Sequence, residues 1–120
     1  MDWRGVPLEH INVWHQIFSR SREALDLAEP CPVCGAIALH RWYHVRELRA
    51  RDVNGAFFRG RGGLWQWCSS CGCYEHAQAL VPLWWNSDLQ VPQTVLTHAP
   101  EAIEAARKAR VTRGSSSAAG

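Results

Sequence analysis

The chain has 120 residues, 47% of them apolar, and its 13 lysines and arginines against 11 acids leave a net charge of +2. That length suits one domain, the apolar share excludes a wholly disordered chain, and so small a charge names no partner by itself. No apolar run reaches the ~18 residues of a membrane span, and no basic segment followed by an apolar stretch starts at Met1-Asp2-Trp3-Arg4-Gly5, so neither a membrane nor a secretory signal is expected.

Residues 7–28 read as helix, in one piece or as two shorter ones. Pro7 suits a first helical position, and Leu8, Ile11, Trp14, Phe18 and Leu25 recur at helical spacing. The Ser19-Arg20-Ser21-Arg22 patch weakens that pattern. Trp14, Ile17 and Phe18 are expected to pack the helix onto the β core, and Pro30 to end it.

Two short turns then stand out, Cys31-Pro32-Val33-Cys34-Gly35 and Cys68-Ser69-Ser70-Cys71-Gly72. A two-residue gap lets both sulfurs of a turn reach one metal, and the trailing glycine can take a positive φ. Together they supply four thiolates, the complement of a closed structural zinc site. Residues 35–67 lie between the pairs, more than the usual spacing of about 15–20, so the insert is expected to hold an extra hairpin. A redox Cys-x-x-Cys would close a strand in a βαβ pattern, which is absent. Disulfides within such turns would close tiny loops and add little stability. Cys73 and His76 offer alternative ligands, although Cys73 reads better as a buried thiol opening a strand. Reduced thiolates point to the cytoplasm.

These residues resemble the zinc-ribbon (rubredoxin-like) superfamily over roughly residues 30–80. The resemblance implies two knuckles at the tips of β-hairpins sharing one structural Zn2+, with Cys31, Cys34, Cys68 and Cys71 as ligands. The superfamily is functionally broad, so the likeness speaks to fold more than to task.

After the first turn, residues 37–45 alternate as a strand. His40 and His44 share one face of it, with no third His or carboxylate placed by the sequence to join them. Residues 46–53 and 56–61 form a hairpin closed at Asn54-Gly55, and Phe57 and Phe58 fall on opposite faces, so at least one is expected near solvent. Arg59-Gly60-Arg61-Gly62-Gly63 reads as a solvated loop. Leu64 to Cys68 is the strand entering the second turn, with Trp65 and Trp67 on one face, and Tyr74 to Leu80 leaves it. Trp84-Trp85 comes after Pro82 as a lid over the core or as an exposed ledge. A polar connection over 86–97 leads to a last helix over 98–112, with Pro100 near its start and acids in its first turn.

The fold class that emerges is α+β. A zinc-ribbon antiparallel β core (30–85) is flanked by the N-terminal helical segment (7–28) and the C-terminal helix (98–112) in one domain, 1–113, with a disordered tail over 114–120. No G-x-S-x-G, H-E-x-x-H or dinucleotide fingerprint appears, and four cysteines leave a metal no open position. Pro30-Cys31-Pro32-Val33-Cys34 matches half of the deaminase signature but lacks its H-x-E. A non-enzymatic protein is therefore expected.

Seven tryptophans are an excess, and Trp and Arg dominate binding hot spots. A protein partner is expected at Trp84, Trp85, Arg49, Arg51, Arg59 and Arg61. The small, Trp-rich, catalytically empty character resembles bacterial immunity-type proteins or adaptors. The alternative is nucleic acid on Arg41, Arg46, Arg49, Arg51, Arg59 and Arg61, with Tyr43, Phe57, Phe58, Trp65 or Trp67 as stacking surfaces. Against it, the pI of about 8.4 lies below the value of about 9 that marks dedicated binders. The oligomeric state is not written in the sequence.

Overall fold

The computed structural model describes residues 1–111 in full and the main chain alone as far as Ala119. The tail expected over 114–120 lies outside the fully described residues. In chain order the elements are β1 (Arg4–Gly5), a 3-10 turn (Leu8–His10), α1 (Ile11–Arg20), β2 (Leu39–Val53), β3 (Ala56–Cys68), β4 (Cys73–Pro82), a second 3-10 turn (Gln93–Val95) and α2 (Glu101–Ala119). The sheet runs β1-β4-β3-β2. β2/β3 and β3/β4 are antiparallel, whereas β1 adds a short parallel edge to β4. The sheet is thus mixed, and the purely antiparallel core expected from sequence is corrected at that edge. The reason is local: the Arg4 N–H donates to Gly72 O at 2.9 Å, drawing the N-terminal segment alongside the second cysteine turn.

Helix α1 is shorter than the expected 7–28 and stops at Arg20, where Ser21 turns to an extended conformation (φ −76°, ψ 139°). Residues 24–27 leave the helix because they pair with β2. The Leu27 N–H donates to Leu39 O (3.0 Å), the Arg41 N–H to Leu25 O (2.9 Å), and Asp26 bridges His40. The side chain of Arg41 fixes the same corner. Its guanidinium donates to the carbonyls of Phe18 (2.7 Å), Ser21 (3.4 Å) and Glu23, satisfying acceptors that a helix end leaves open. Helical periodicity lost to a long-range ladder.

The hairpin closes as expected. Asn54 (φ 51°) and Gly55 (φ 85°) both take the left-handed conformation of a two-residue turn, and Asp52 Oδ1 accepts the Gly55 N–H at 2.9 Å. Phe57 is exposed and Phe58 half-buried. The expected loop at residues 59–63 is instead the middle of β3, hydrogen-bonded on both sides. A Cβ on Gly60 would stand 1.9 Å from Glu47 O, and one on Gly62 1.9 Å from His44 O. These glycines let β2 bulge against β3 between Val45 and Glu47 and again between Leu48 and Arg51.

The two sheet faces are covered separately. Trp42, Trp65 and Trp67 enter one core with Leu89, Val91 and Ile103, the last from α2. Leu39 and Cys68, alternate residues on the same two strands, and Cys73 at the start of β4 meet Trp14, Ile17 and Phe18 of α1. The tryptophans also anchor irregular chain. Trp42 Nε1 donates to Leu89 O (3.0 Å), Trp65 Nε1 to Thr97 O (3.0 Å) and Trp85 Nε1 to Ala24 O (3.2 Å). Much of the Trp excess thus serves to hold segments with no ladder of their own.

Trp67 Nε1 donates to Glu104 Oε1 (3.0 Å), and Arg107 grips both carboxylate oxygens (2.8 and 2.9 Å). Glu104 is 4% exposed. Burial pushes its pKa up, but the bonds from Arg107 and Trp67 outweigh that and hold it below the ordinary value. A folded-state pKa depressed in this way gives stability that is full above the unfolded-state pKa and lost as pH falls through the folded one. Glu104→Gln is expected to cost about 2–3 kcal/mol at neutral pH. The gap from the parent should close in acid, as read by urea denaturation across a pH series. A gap independent of pH would show that Glu104 acts by shape alone.

Candidate metal centre and the surfaces around it

Each cysteine turn is built by the same local bonds. Gly35 N–H donates to Cys31 O (2.8 Å) and Gly72 N–H to Cys68 O (3.0 Å), and both glycines have positive φ, 81° and 82°. The β2–β3 hairpin brings Cys68 beside the residues after Cys34, since Leu39 pairs with Cys68 and the Ser69 N–H donates to Ala38 O at 2.9 Å.

The Sγ atoms of Cys31, Cys34, Cys68 and Cys71 all lie within 4.8 Å of one another. Across the two turns, Cys31–Cys71 is 3.9 Å and Cys34–Cys68 is 3.7 Å. A metal with four sulfurs at about 2.3 Å in a tetrahedron separates them by about 3.8 Å, whereas a disulfide requires about 2.05 Å. All five cysteines are free thiols. The four can therefore hold a metal ion.

The main chain prepares the sulfurs for charge. The Val33 N–H donates to Cys31 Sγ (3.4 Å), and the Cys71 and Ser70 amides act on the Cys68 sulfur. Burial still pushes the Cys31 and Cys68 thiols up. Cys71 is drawn down to about 7, because the Cys73 amide and neighbouring thiols together outweigh its burial. Four adjacent thiolates need a cation to balance them. Cys73 stands outside the cluster, fully buried at the start of β4, as expected. His76 is outside it too, its Nδ1 near Leu64 O (3.0 Å) and its ring stacked on Trp65.

His40 departs from expectation. A carboxylate does reach it: Nδ1 lies 2.7 Å from Asp26 Oδ1 and Nε2 2.9 Å from Ser69 Oγ. This Asp–His–Ser order has the connectivity of a hydrolase triad. Acyl transfer also requires donors for an oxyanion, and the amides beside Ser69 are spent. Ser69 N–H serves Ala38 O, Gly72 N–H serves Cys68 O, and those of Ser70 and Cys71 face the Cys68 sulfur. The linkage fastens the second cysteine turn to β2 and to the pre-strand segment. Sequence could not join the three, because Asp26 was read as helix. Among the described residues His44 has no such partners, and its Nδ1 is buried without a hydrogen bond there.

The residues expected to meet a partner divide. Trp85 is 4% exposed and packs edge-on against Tyr43, so it is lid rather than ledge. Arg59 donates to Leu83 O (2.8 Å) and Trp85 O (2.6 Å) and secures that lid. Trp84 stays at the surface, 37% exposed, with the Arg41 guanidinium 4.8 Å from its ring centre. Arg49 and Arg61 are exposed and Arg51 half-buried. Arg41, Tyr43, Trp65 and Trp67 are buried and withdraw from any stacking surface.

Leu48 (81% exposed), Leu83 (57%) and Val53 (45%) were not singled out in the sequence, yet like Phe57 they are exposed, toward the turn end of the hairpin. The Leu83 N–H donates to Phe57 O at 3.0 Å, which joins the Pro82 turn to that end. The only sequence signal was apolar residues inside an arginine-rich strand, and the bulges hid their facing.

Among the described residues, no helix is long and apolar enough to cross a membrane. Comparison of the chain with family models, with curated proteins and with solved structures finds no match.

Proposed function

We propose that the protein is a non-enzymatic zinc ribbon that binds a protein partner through the far half of its β2–β3 hairpin, as a cytoplasmic immunity-type protein or adaptor of a bacterial system. Four cysteines at tetrahedral spacing and no other ligand type favour one structural Zn2+ over harder cations. The observation that carries partner binding is the set of exposed apolar side chains, Leu48, Val53, Phe57 and Leu83, in the outer half of the hairpin and the turn beside it, with Arg49, Arg51 and Arg61 on the same strands. Of these four side chains only Phe57 has a ring on which a base could stack, and the aliphatic ones gain by burial against protein. The arginines make no ion pair with a carboxylate among the described residues, which favours an acidic partner face.

The test is affinity capture of the tagged protein from its own cells, with nuclease treatment and a high-salt wash. A triple variant, Leu48→Ser, Phe57→Ser and Leu83→Ser, runs in parallel. One stoichiometric protein is expected with the parent and none with the variant. A partner lost on nuclease treatment would replace this reading with nucleic-acid binding.

A further inference from the structure

Away from the cysteine centre two histidines come together. His76 of β4 and His98, from the segment before α2, have ring centres 5.1 Å apart at an interplanar angle of 82°. Both line a cavity of about 240 Å3, along with Val6 and Ile11. Each ring is held in place. His76 Nδ1 donates to Leu64 O (3.0 Å), and the ring stacks on Trp65 with centres 4.2 Å apart. Gly63 makes room for that stack, since a Cβ there would stand 2.9 Å from the Trp65 ring. Trp65 Nε1 in turn donates to Thr97 O (3.0 Å), which fixes the chain next to His98. Tyr74 Oη lies 3.3 Å from His98 Nδ1.

These bonds decide what the rings can do. A carbonyl only accepts, so the His76 proton sits on Nδ1 and Nε2 keeps its lone pair. The Tyr74 oxygen can accept the Nδ1–H of His98 and leave that Nε2 equally free. Burial, together with the charges of His98 and Arg46, outweighs the bond to Leu64 and holds the His76 pKa below its ordinary value, so the ring is neutral at pH 7. An imidazole with Nδ1–H spent on a main-chain carbonyl and Nε2 open is prepared as a metal ligand. The spacing agrees. Two imidazoles bound through Nε2 at about 2.0–2.1 Å to one tetrahedral ion have ring centres about 5 Å apart.

We propose that His76 and His98 bind a second metal ion through their Nε2 atoms, a divalent transition metal such as Zn2+, which imidazole suits. No third His, Cys, Asp or Glu joins the pair among the described residues, so water fills the remaining positions. The cavity has room for several waters at about 30 Å3 each. The site is therefore open, unlike the cysteine centre, and it does not depend on the partner reading, which rests on Leu48, Phe57 and Leu83.

The test uses the full chain, saturated with Zn2+ at the cysteines and freed of excess, then titrated with more Zn2+. Calorimetry counts the ions, and long-range 1H–15N spectra of the His rings report where they bind, whatever the cysteines carry. One further Zn2+ per chain is expected, moving the Nε2 resonances of His76 and His98 and leaving those of the remaining histidines in place. His98 is exposed, so His98→Ala should keep the thermal transition and the cysteine-bound metal yet lose the added ion. His76→Phe, which keeps a ring on Trp65, should lose it too, and Tyr74→Phe should weaken it about tenfold. Absence of a further ion, its retention in His98→Ala, or movement of other histidines in place of these two overturns the inference.

Discussion

Cys68→Ser is expected to yield a chain that binds no metal and shows no cooperative thermal transition. Cys68 is fully buried, ends β3, pairs with Leu39 and sits in the core beside Trp14 and Ile17. Losing its sulfur removes one of four ligands and leaves a polar hydroxyl in an apolar place. Structural zinc contributes about 10–16 kcal/mol in small fingers, as much as the whole stability of an ordinary domain, about 5–15 kcal/mol. Metal analysis of the purified protein and a circular-dichroism melt provide the readout. Cys73→Ser is the control: equally buried but outside the cluster, it should keep one metal per chain and lose only about 1–3 kcal/mol. Metal retained by Cys68→Ser, or lost from Cys73→Ser, would overturn the assignment of the ligands.

Gly62→Ala should be the most damaging change outside the cysteines. The new methyl would stand 1.9 Å from a main-chain oxygen, His44 O, and a backbone atom of the neighbouring strand cannot rotate away. Either β2 and β3 separate at the bulge or the register slips, at about 3 kcal/mol. Gly60→Ala meets Glu47 O at the same distance and should behave alike. Gly5→Ala has no atom within 4 Å of its new carbon and should be neutral within about 0.5 kcal/mol. Urea midpoints compare all three, and amide exchange along β2 and β3 would show the opening. A mild Gly62→Ala would mean that the bulge is pliable.

What sequence reveals here is whatever short-range geometry decides. The cysteine turns, the Asn54-Gly55 reversal and the opposed Phe57 and Phe58 each depend on a few adjacent residues, and the structure has them as read. The helix end does not, because Leu25 and Leu27 have helical spacing yet are taken by hydrogen bonds to Arg41 and Leu39. Arg59-Gly60-Arg61-Gly62-Gly63 has the composition of a loop, and only the approach of β2 makes its glycines strand residues. Trp84 and Trp85 are alike in sequence, and a single step along the chain puts one at the surface and the other in the core. The meeting of Asp26, His40 and Ser69 joins three separate segments, and no local rule brings them together.

β2 is the outermost strand on its side of the sheet. Its first residues are covered by the segment around Leu25 and Leu27, whereas from His44 to the turn no strand among the described residues lies outside it. A bare edge of that length invites a second copy to add on, the first step toward fibrils. Two bulges and the charges of Arg46, Arg49 and Arg51 oppose such growth by bending the edge and setting like charges against each other. Arg49 and Arg51, proposed above for recognition, would then also guard solubility. A partner seated on this edge would shelter a strand that the free protein defends by bulges and charge together.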